Sequence, residues 1–243
     1  MVIKYEIQGD VAWITLDREE KLNSFDEKHW YDLGNYIRKS NGEALALVLT
    51  GKGRSFSAGD DIFAMLSIEN EEKSRNFFSS LSYAINSILS LEIPFISVVN
   101  GIAYGGGCEI LLLSDIVIAS TNSRFSIPEG RLGLIPPMAL AFGENLIGRS
   151  IRRLAITGEE IGSEEARLLG IVDYVVPEDK LYEKVDHVLS MIKKMSPNSI
   201  RVMKKWFRLN SSNLEKTIYD LTRMVLDDDA IKRMKDFTLR KKR

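Results

Sequence analysis

The sequence contains a single cysteine, Cys108, among 243 residues, which excludes an internal disulfide and is typical of a reducing compartment. No apolar run approaches the roughly 18 residues that a membrane span needs. The N-terminus MVIKYEIQGD has neither a long apolar core nor an arginine-rich amphipathic pattern, so we expect no signal or transit peptide. A net charge of −1 argues against general binding to nucleic acid or membrane. We expect a cytoplasmic protein without a membrane or nucleic-acid partner.

Histidine is nearly as scarce. His29 and His187 fall on predicted helices among charged neighbours and lack the spacing of metal ligands, so we expect both at the surface. Neither lies near Cys108 in the sequence, and we therefore interpret that cysteine as a small buried side chain and not as a nucleophile.

Short strands alternate with helices along most of the chain. Residues 2–17 alternate apolar and polar side chains on both sides of Gln8-Gly9-Asp10, which predicts a β-hairpin. Periodicity predicts helices over 26–39 and 71–94 and buried strands over 44–51, 95–101 and 115–120. From residue 179 the pattern is helical, over 179–195, 197–209, 213–226 and 227–243. This order predicts an α/β fold with mainly parallel pairing.

Three consecutive glycines, Gly105 to Gly107, precede Glu109 and a run of leucines. A helix that begins at these glycines would direct free backbone N–H groups towards an anion. The segment lacks both the lysine of a Walker A loop and the G-x-G-x-x-G spacing, so the anion can instead be an oxyanion formed during a reaction. Glu109 follows Gly106 by three residues, which places both on one face of the helix.

Two further segments offer matching groups. RSFSAGDDI has the small residues Ala58 and Gly59 at a turn after a predicted strand, where a ligand can reach the backbone. FSIPEGRLGLIPP supplies a second carboxylate, Glu129. Two carboxylates and two backbone donors indicate acid–base chemistry beside a carbonyl that becomes an enolate. Taken singly, Glu109 is also explained as a favourable charge near a helix N-terminus, and Glu129 as a solvated loop acid.

The chain resembles the crotonase superfamily, the enoyl-CoA hydratase/isomerase family, over nearly its whole length. The segments that carry the resemblance are KLNSF, SFSAGDDI, NGIAYGGGCEILLLSDIVIAS, FSIPEGRLGLIP and TGEEIGSEEARLLGIVDYVVPEDKL. The resemblance implies an α/β fold made of a crotonase-type spiral of repeated ββα units with a helical C-terminal region. It implies a core over 1–190 that carries the thioester site, and a region over 191–243 that packs into a homotrimer or a dimer of trimers. The apolar stripe Ile200, Met203, Trp206 and Phe207 supports a buried role for that region.

The resemblance also implies a site. Ala58 and Gly106 would donate N–H groups to the thioester oxygen of an acyl-CoA, and Glu109 and Glu129 would be the catalytic acids. Residues implied to bind the CoA thioester are Lys21, Ser24, Gly59, Asp60, Asp61 and Ile62. Positive charge for the phosphates of coenzyme A is expected from Lys21, Lys52, Arg54, Arg240 and Lys241. No metal and no cofactor are implied, because coenzyme A is part of the substrate.

Three functions stay open at this point. The presence of both glutamates favours an enoyl-CoA hydratase, which adds water across the 2,3 double bond. Pro137, however, stands where hydratases of the family have a glycine whose amide helps to hold the water, and proline has no N–H. This departure resembles Δ3-Δ2-enoyl-CoA isomerases, in which one glutamate moves a proton. A non-catalytic acyl-CoA or RNA-binding protein on the same fold is the third alternative.

Overall fold

The computed structural model describes residues 3–240, so Lys241, one of the predicted phosphate contacts, lies outside the described residues. Ten strands are present in this part of the chain: β1 (Ile3–Gln8), β2 (Val11–Leu16), β3 (Ala46–Gly51), β4 (Ser55–Ser57), β5 (Phe95–Val99), β6 (Ile102–Tyr104), β7 (Ile116–Ser120), β8 (Arg124–Ser126), β9 (Glu160–Gly162) and β10 (Tyr174–Val176). Eleven α-helices accompany them: α1 (Glu27–Glu43), α2 (Ile62–Leu66), α3 (Glu71–Leu89), α4 (Gly106–Leu112), α5 (Glu144–Ile147), α6 (Ser150–Thr157), α7 (Ser163–Leu168), α8 (Leu181–Ile192), α9 (Pro197–Phe207), α10 (Ser212–Met224) and α11 (Asp228–Arg240).

The strands form two sheets. The larger has six strands in the order β1-β2-β3-β5-β7-β10, and all neighbours except the β1–β2 hairpin are parallel. The smaller has four strands in the order β4-β6-β8-β9. The predicted hairpin and the predicted parallel pairing are confirmed.

A repeated unit connects the sheets. Strands β3, β5 and β7 of the larger sheet are each followed by a strand of the smaller sheet, namely β4, β6 and β8. Helices α2 and α3 follow β4, and α4 follows β6, so the chain winds through successive ββα units. The predicted spiral of repeated ββα units is confirmed. Because β6 leads directly into α4, the first residues of α4 lie beside the segment that follows β4.

Period-2 alternation explains how the larger sheet is buried on both faces. Leu47 and Leu49 of β3 face the main core, whereas Val48 packs with Ile96 and with Val185 of α8 in a second cluster.

Helix α1 begins where the Asp26 side chain accepts a hydrogen bond from the amide of His29 at 3.0 Å. Helix α3, predicted to reach Pro94, ends at Leu89, and the chain then turns into β5.

The C-terminal helices differ in how they are buried. Leu214 and Leu221 of α10 and Met234 of α11 lie in the main core, and Ser74 of α3 donates to the carbonyl of Thr222 at 2.7 Å. Helix α9, by contrast, has no buried residue, and Trp206 is 84% exposed. The division into 1–190 and 191–243 stays a prediction. Within residues 3–240, none of the helices is both long enough and apolar enough to cross a membrane.

Candidate active site

The glycine triplet forms the start of α4. Gly105 has φ +52° and ψ −132°, and its carbonyl accepts hydrogen bonds from the amides of Cys108 at 2.8 Å and Glu109 at 2.9 Å. The amide of Gly106, the first residue of the helix, donates to nothing within residues 3–240. The predicted helix and its free N–H group are therefore present.

Gly105 has a φ of +52°, which favours glycine, and a carboxylate lies over it. A side chain there would place its Cβ 2.9 Å from Oε1 of Glu129, so the second predicted acid lies directly over this backbone. Glu129 follows Pro128 and opens a short 3-10 turn that ends at Leu132. The fold thus brings the two segments together, although 23 residues of sequence separate Gly106 and Glu129.

Gly59 allows the other predicted donor segment to lie against the start of α4. It has φ +79°, and a Cβ there would lie 2.8 Å from both the amide nitrogen of Gly106 and the carbonyl oxygen of Tyr104. Only glycine fits this close approach of two backbones. The segment 57–61 therefore lies beside the start of α4, as the oxyanion hypothesis requires.

The amide predicted as the second donor is engaged elsewhere, and this is a correction. Ala58 donates its N–H to the carbonyl of Leu22 at 2.9 Å, because residues 58–61 pair with the loop at 22–25. Gly59 donates to Oγ of Ser57 at 3.1 Å, and Asp61 donates to the carbonyl of Phe25 at 2.7 Å. Within this segment, the amide of Asp60 has no hydrogen-bond partner among residues 3–240, since consecutive amides of an extended segment point in opposite directions.

Glu109 is buried, with 1% of its surface exposed. Its Oε1 accepts a hydrogen bond from the amide of Ala139 at 2.8 Å. Burial and the charge of Glu129 raise the pKa of Glu109 well above its usual range, and the backbone amides of Ala139 and Met138 oppose this rise. Glu109 is therefore held in place by the residues that follow Pro137.

Glu129 has a different environment. Its Oε2 is buried and has no hydrogen-bond partner within the described residues. Burial raises the pKa of Glu129 to about 8, with a further contribution from the charge of Asp60. A carboxyl with this pKa holds a proton at neutral pH and releases it at slightly higher pH, which is the property of a general acid or base.

The residues predicted to bind the CoA thioester point in different directions and have different partners in the structure. Asp60 turns its carboxylate to the indole N–H of Trp30, with Oδ1 2.7 Å from Nε1. Asp61 turns the other way: it caps α2 at the amide of Phe63 and pairs with Arg18 at 2.9 Å. Ser24 is buried, Ile62 is half-buried, and the ammonium of Lys21 lies 4.1 Å from the centre of the exposed Phe63 ring. Their contact with a ligand stays a prediction.

The other predicted charges are also placed. Lys52 is paired with Asp17 and Glu19, which compensates its charge, whereas Arg54 and Arg240, the last residue of α11, are exposed. Cys108 is buried, and burial raises the pKa of its thiol, as suits a packing residue. The prediction of a surface position is wrong for His29, which is one of the buried residues of α1 and whose ring contacts the Asp26 carboxylate. Among residues 3–240 no group of metal-binding side chains is assembled, and a metal-free site stays a prediction.

Sequence reasoning missed Trp30 and the amides of residues 138 and 139. Trp30 has the spacing of a buried helix face, and it is fully buried, but its ring also contacts Gly106 and its N–H binds Asp60. The buried tryptophan N–H was the available signal, because such a group needs a polar partner. The amides at 138 and 139 carry no sequence signal.

Replacing Gly59 by alanine is expected to lower the free energy of unfolding by about 1–3 kcal/mol, since the added methyl group meets backbone atoms at a positive φ. Gly42→Ala on α1 is the matched control, because a Cβ at Gly42 meets nothing within 4 Å and alanine favours helix. Urea unfolding measures both variants. Equal stability of Gly59→Ala and the wild type would contradict the close approach.

Known proteins resemble this chain in sequence and in fold. The model of the enoyl-CoA hydratase/isomerase family matches residues 6–235. The carnitinyl-CoA dehydratase of Escherichia coli K12 is 30% identical over 208 residues, which cover 84% of this chain and 78% of that protein. The short-chain-enoyl-CoA hydratase of Clostridium acetobutylicum is 34% identical over 209 residues, which cover 82% and 78%.

Among solved structures, the enoyl-CoA hydratase from Bacillus halodurans superposes with a TM-score of 0.90 at 25% identity, covering 97% of this chain and all of that one. An enoyl-CoA hydratase/isomerase from Pseudoalteromonas atlantica has a TM-score of 0.87 at 22% identity, a likeness of fold. The chain therefore belongs to the enoyl-CoA hydratase/isomerase family and has the crotonase fold.

Proposed function

We propose that the protein is an enoyl-CoA hydratase that adds water across the 2,3 double bond of an acyl-CoA thioester. The observation that carries the proposal is the pair Glu109 and Glu129, two buried carboxyls whose pKa values are raised and which lie beside the free amide of Gly106; the charge of Glu129 contributes to the rise at Glu109. Because ionisation of one carboxyl disfavours ionisation of its neighbour, one of the two can act as an acid while the other acts as a base.

The reaction follows from these groups. One glutamate takes a proton from water while the water oxygen attacks C3, and the electrons of the double bond move to the thioester oxygen as an enolate. The amides of Gly106 and Asp60, in place of Ala58, hold that oxygen. The other glutamate then gives a proton to C2. No metal or separate cofactor enters this sequence, since the thioester of coenzyme A supplies the electron-withdrawing carbonyl.

The relatives support the same chemistry. One is named a short-chain-enoyl-CoA hydratase and another a carnitinyl-CoA dehydratase, so both names describe the gain or loss of water by a CoA thioester. Lys21 beside Phe63 and the exposed Arg54 and Arg240 are the described cations that we assign to coenzyme A. We place the protein in the cytoplasm, without a nucleic-acid or membrane partner.

A Δ3-Δ2-enoyl-CoA isomerase is the second candidate, and Pro137 favours it. Proline gives no N–H to a water molecule, and the amide of Ala139 is already donated to Glu109 at 2.8 Å. Under this alternative Glu129, with its unpartnered Oε2, carries the proton between C2 and C4.

A panel of enoyl-CoA thioesters in H₂¹⁸O separates these candidates by mass spectrometry. Incorporation of ¹⁸O at C3 supports the hydratase, whereas a shifted double bond without label supports the isomerase. No turnover of any thioester would favour the non-catalytic alternative, and an electrophoretic shift assay would then test RNA, which the net charge of −1 does not favour.

We also propose that the protein assembles as a homotrimer or a dimer of trimers through α9. Met203, Trp206 and Phe207 on this helix are 39%, 84% and 69% exposed, a larger apolar surface than a monomer usually leaves in water.

Trp206→Glu is expected to convert the assembly to monomers at micromolar concentration, because it places a charge in the apolar contact. Light scattering gives the mass. Lys205→Glu, on the opposite face of α9, is the control and should leave the mass unchanged. A stable wild-type monomer at that concentration would refute the proposed assembly.

A further inference from the structure

Asp60 carries a third carboxylate of the site. Its Oδ1 accepts the N–H of Trp30 at 2.7 Å. The indole is fully buried and stacks on Phe25 with 4.2 Å between ring centres, so the donor has a fixed position. The carboxylate is therefore held by a rigid partner and does not move freely in solvent.

The same indole touches the start of α4. A Cβ added at Gly106 would lie 3.2 Å from Cζ2 of Trp30 and 3.8 Å from Cα of Gly59. Trp30 thus contacts both backbone segments that carry the unpartnered amides, one through ring packing and one through its hydrogen bond. Trp30→Phe would remove the hydrogen bond to Asp60 and keep a smaller aromatic ring at this position.

The charges around Asp60 are almost all negative. A Cβ added at Gly105 would lie 2.9 Å from Oε1 of Glu129 and 3.9 Å from Cα of Gly59, the residue before Asp60, so Glu129 and the Asp60 segment are close neighbours. The charge of Asp60 increases the proton affinity of both Glu129 and Glu109. Asp61, its neighbour in sequence, is compensated by Arg18 at 2.9 Å. Within residues 3–240, no cation pairs with Asp60, Glu109 or Glu129, and so the three carboxyls cannot all be ionised without a large electrostatic cost.

We propose that Asp60, fixed by the indole N–H of Trp30, is a positioning residue that keeps a proton on the Glu109–Glu129 pair and so sets the pH range of the reaction. The proposal deepens the proposed function and rests on it for the reaction itself. The direction of the effect follows from the signs of the charges. A negative Asp60 disfavours ionisation of the glutamates, and its removal lets them lose protons at lower pH.

The effect of Asp60 on the protonation of the two glutamates depends on pH. Burial raises the pKa of Asp60 to about 6, the hydrogen bond from Trp30 opposes this rise, and the charge of Asp61 adds to it. Below this value Asp60 is neutral and adds no charge, whereas above it the charge supports the proton on the glutamates. The wild type and Asp60→Asn should therefore behave alike in acid and diverge above about pH 6.

Carbon-13 NMR of protein labelled at the glutamate carboxyl measures this without any substrate. Signals of the pair are assigned by their loss in Glu109→Gln and Glu129→Gln. In Asp60→Asn the pair should titrate at least ~1 pH unit lower than in the wild type. Trp30→Phe should move it in the same direction, because Asp60 then ionises less readily, and should add nothing in the Asp60→Asn background. Asp32→Asn on the surface of α1 is the control with an equal loss of charge.

Turnover gives the second measurement. Above about pH 6 the pH–rate profile of Asp60→Asn should shift towards acid by the same amount as the NMR titration, and at lower pH it should follow that of the wild type. An unchanged titration in folded Asp60→Asn would overturn the proposal, as would a uniform loss of rate without a shift of the profile. A shifted titration in a protein that turns over no enoyl-CoA would support the role of Asp60 and refute the proposed function.

Discussion

Replacement of Glu129 by glutamine is expected to lower kcat for hydration of crotonyl-CoA by ~10²–10⁴, the range for a positioned general acid or base. Glutamine keeps the shape of the side chain over Gly105 but cannot exchange a proton. The Oε2 of Glu129 is buried and unpartnered, so the residue contributes little to folding through hydrogen bonds. Affinity for acyl-CoA should therefore stay near that of the wild type.

The measurement is the rate with crotonyl-CoA together with calorimetry using acetoacetyl-CoA as a ligand. Glu183→Gln, an exposed glutamate of α8 that pairs with Lys180, is the matched control and should leave both values unchanged. If Glu129→Gln kept more than about a tenth of the rate, a role in proton transfer would be refuted. A loss of binding equal to the loss of rate would instead indicate a disturbed site.

The sequence predicts the elements of this fold well where periodicity is strong. The hairpin, the buried strands β3, β5 and β7 and the start of α1 follow from alternation and helical spacing, because burial of one face imposes the period. The end of α3 at Leu89 does not follow, since a helix can stop before the proline that ends its pattern. The apolar stripe of α9 predicts a buried helix, but α9 is exposed in the single chain. The two agree only if another chain covers this helix.

Residue types in the sequence predict which segments form the site. They do not predict which backbone amides point into it, because that depends on the direction of the backbone. Glycine and glutamate at 105–109 have few alternative explanations once Glu129 lies over Gly105. The donor assigned to Ala58 was wrong because the direction of an amide depends on which strand its segment pairs with. The role of Trp30 is missed for a similar reason. Its spacing in the sequence indicates only burial, and the partner of its N–H group is 30 residues away in sequence.

The effect of Glu109→Gln depends on how the two glutamates share the reaction. In a hydratase both are needed, because one takes a proton from water while the other supplies the proton at C2. Loss of either should then lower the rate by ~10²–10⁴. In an isomerase a single base carries the proton between two carbons, and Glu129 is the better placed for this, since Glu109 is held at Oε1 by the amide of Ala139.

Glutamine at position 109 can still accept that hydrogen bond through its own carbonyl oxygen, so the variant should fold and bind acyl-CoA like the wild type. We expect Glu109→Gln and Glu129→Gln to lose hydration of crotonyl-CoA to a similar degree, with ¹⁸O incorporation as the readout and the melting temperature as the control for folding. If the wild type incorporated no label and only Glu129→Gln stopped migration of the double bond, the isomerase would replace the hydratase. Glu109 would then be a buried carboxyl that supports the start of α4 and the turn after Pro137.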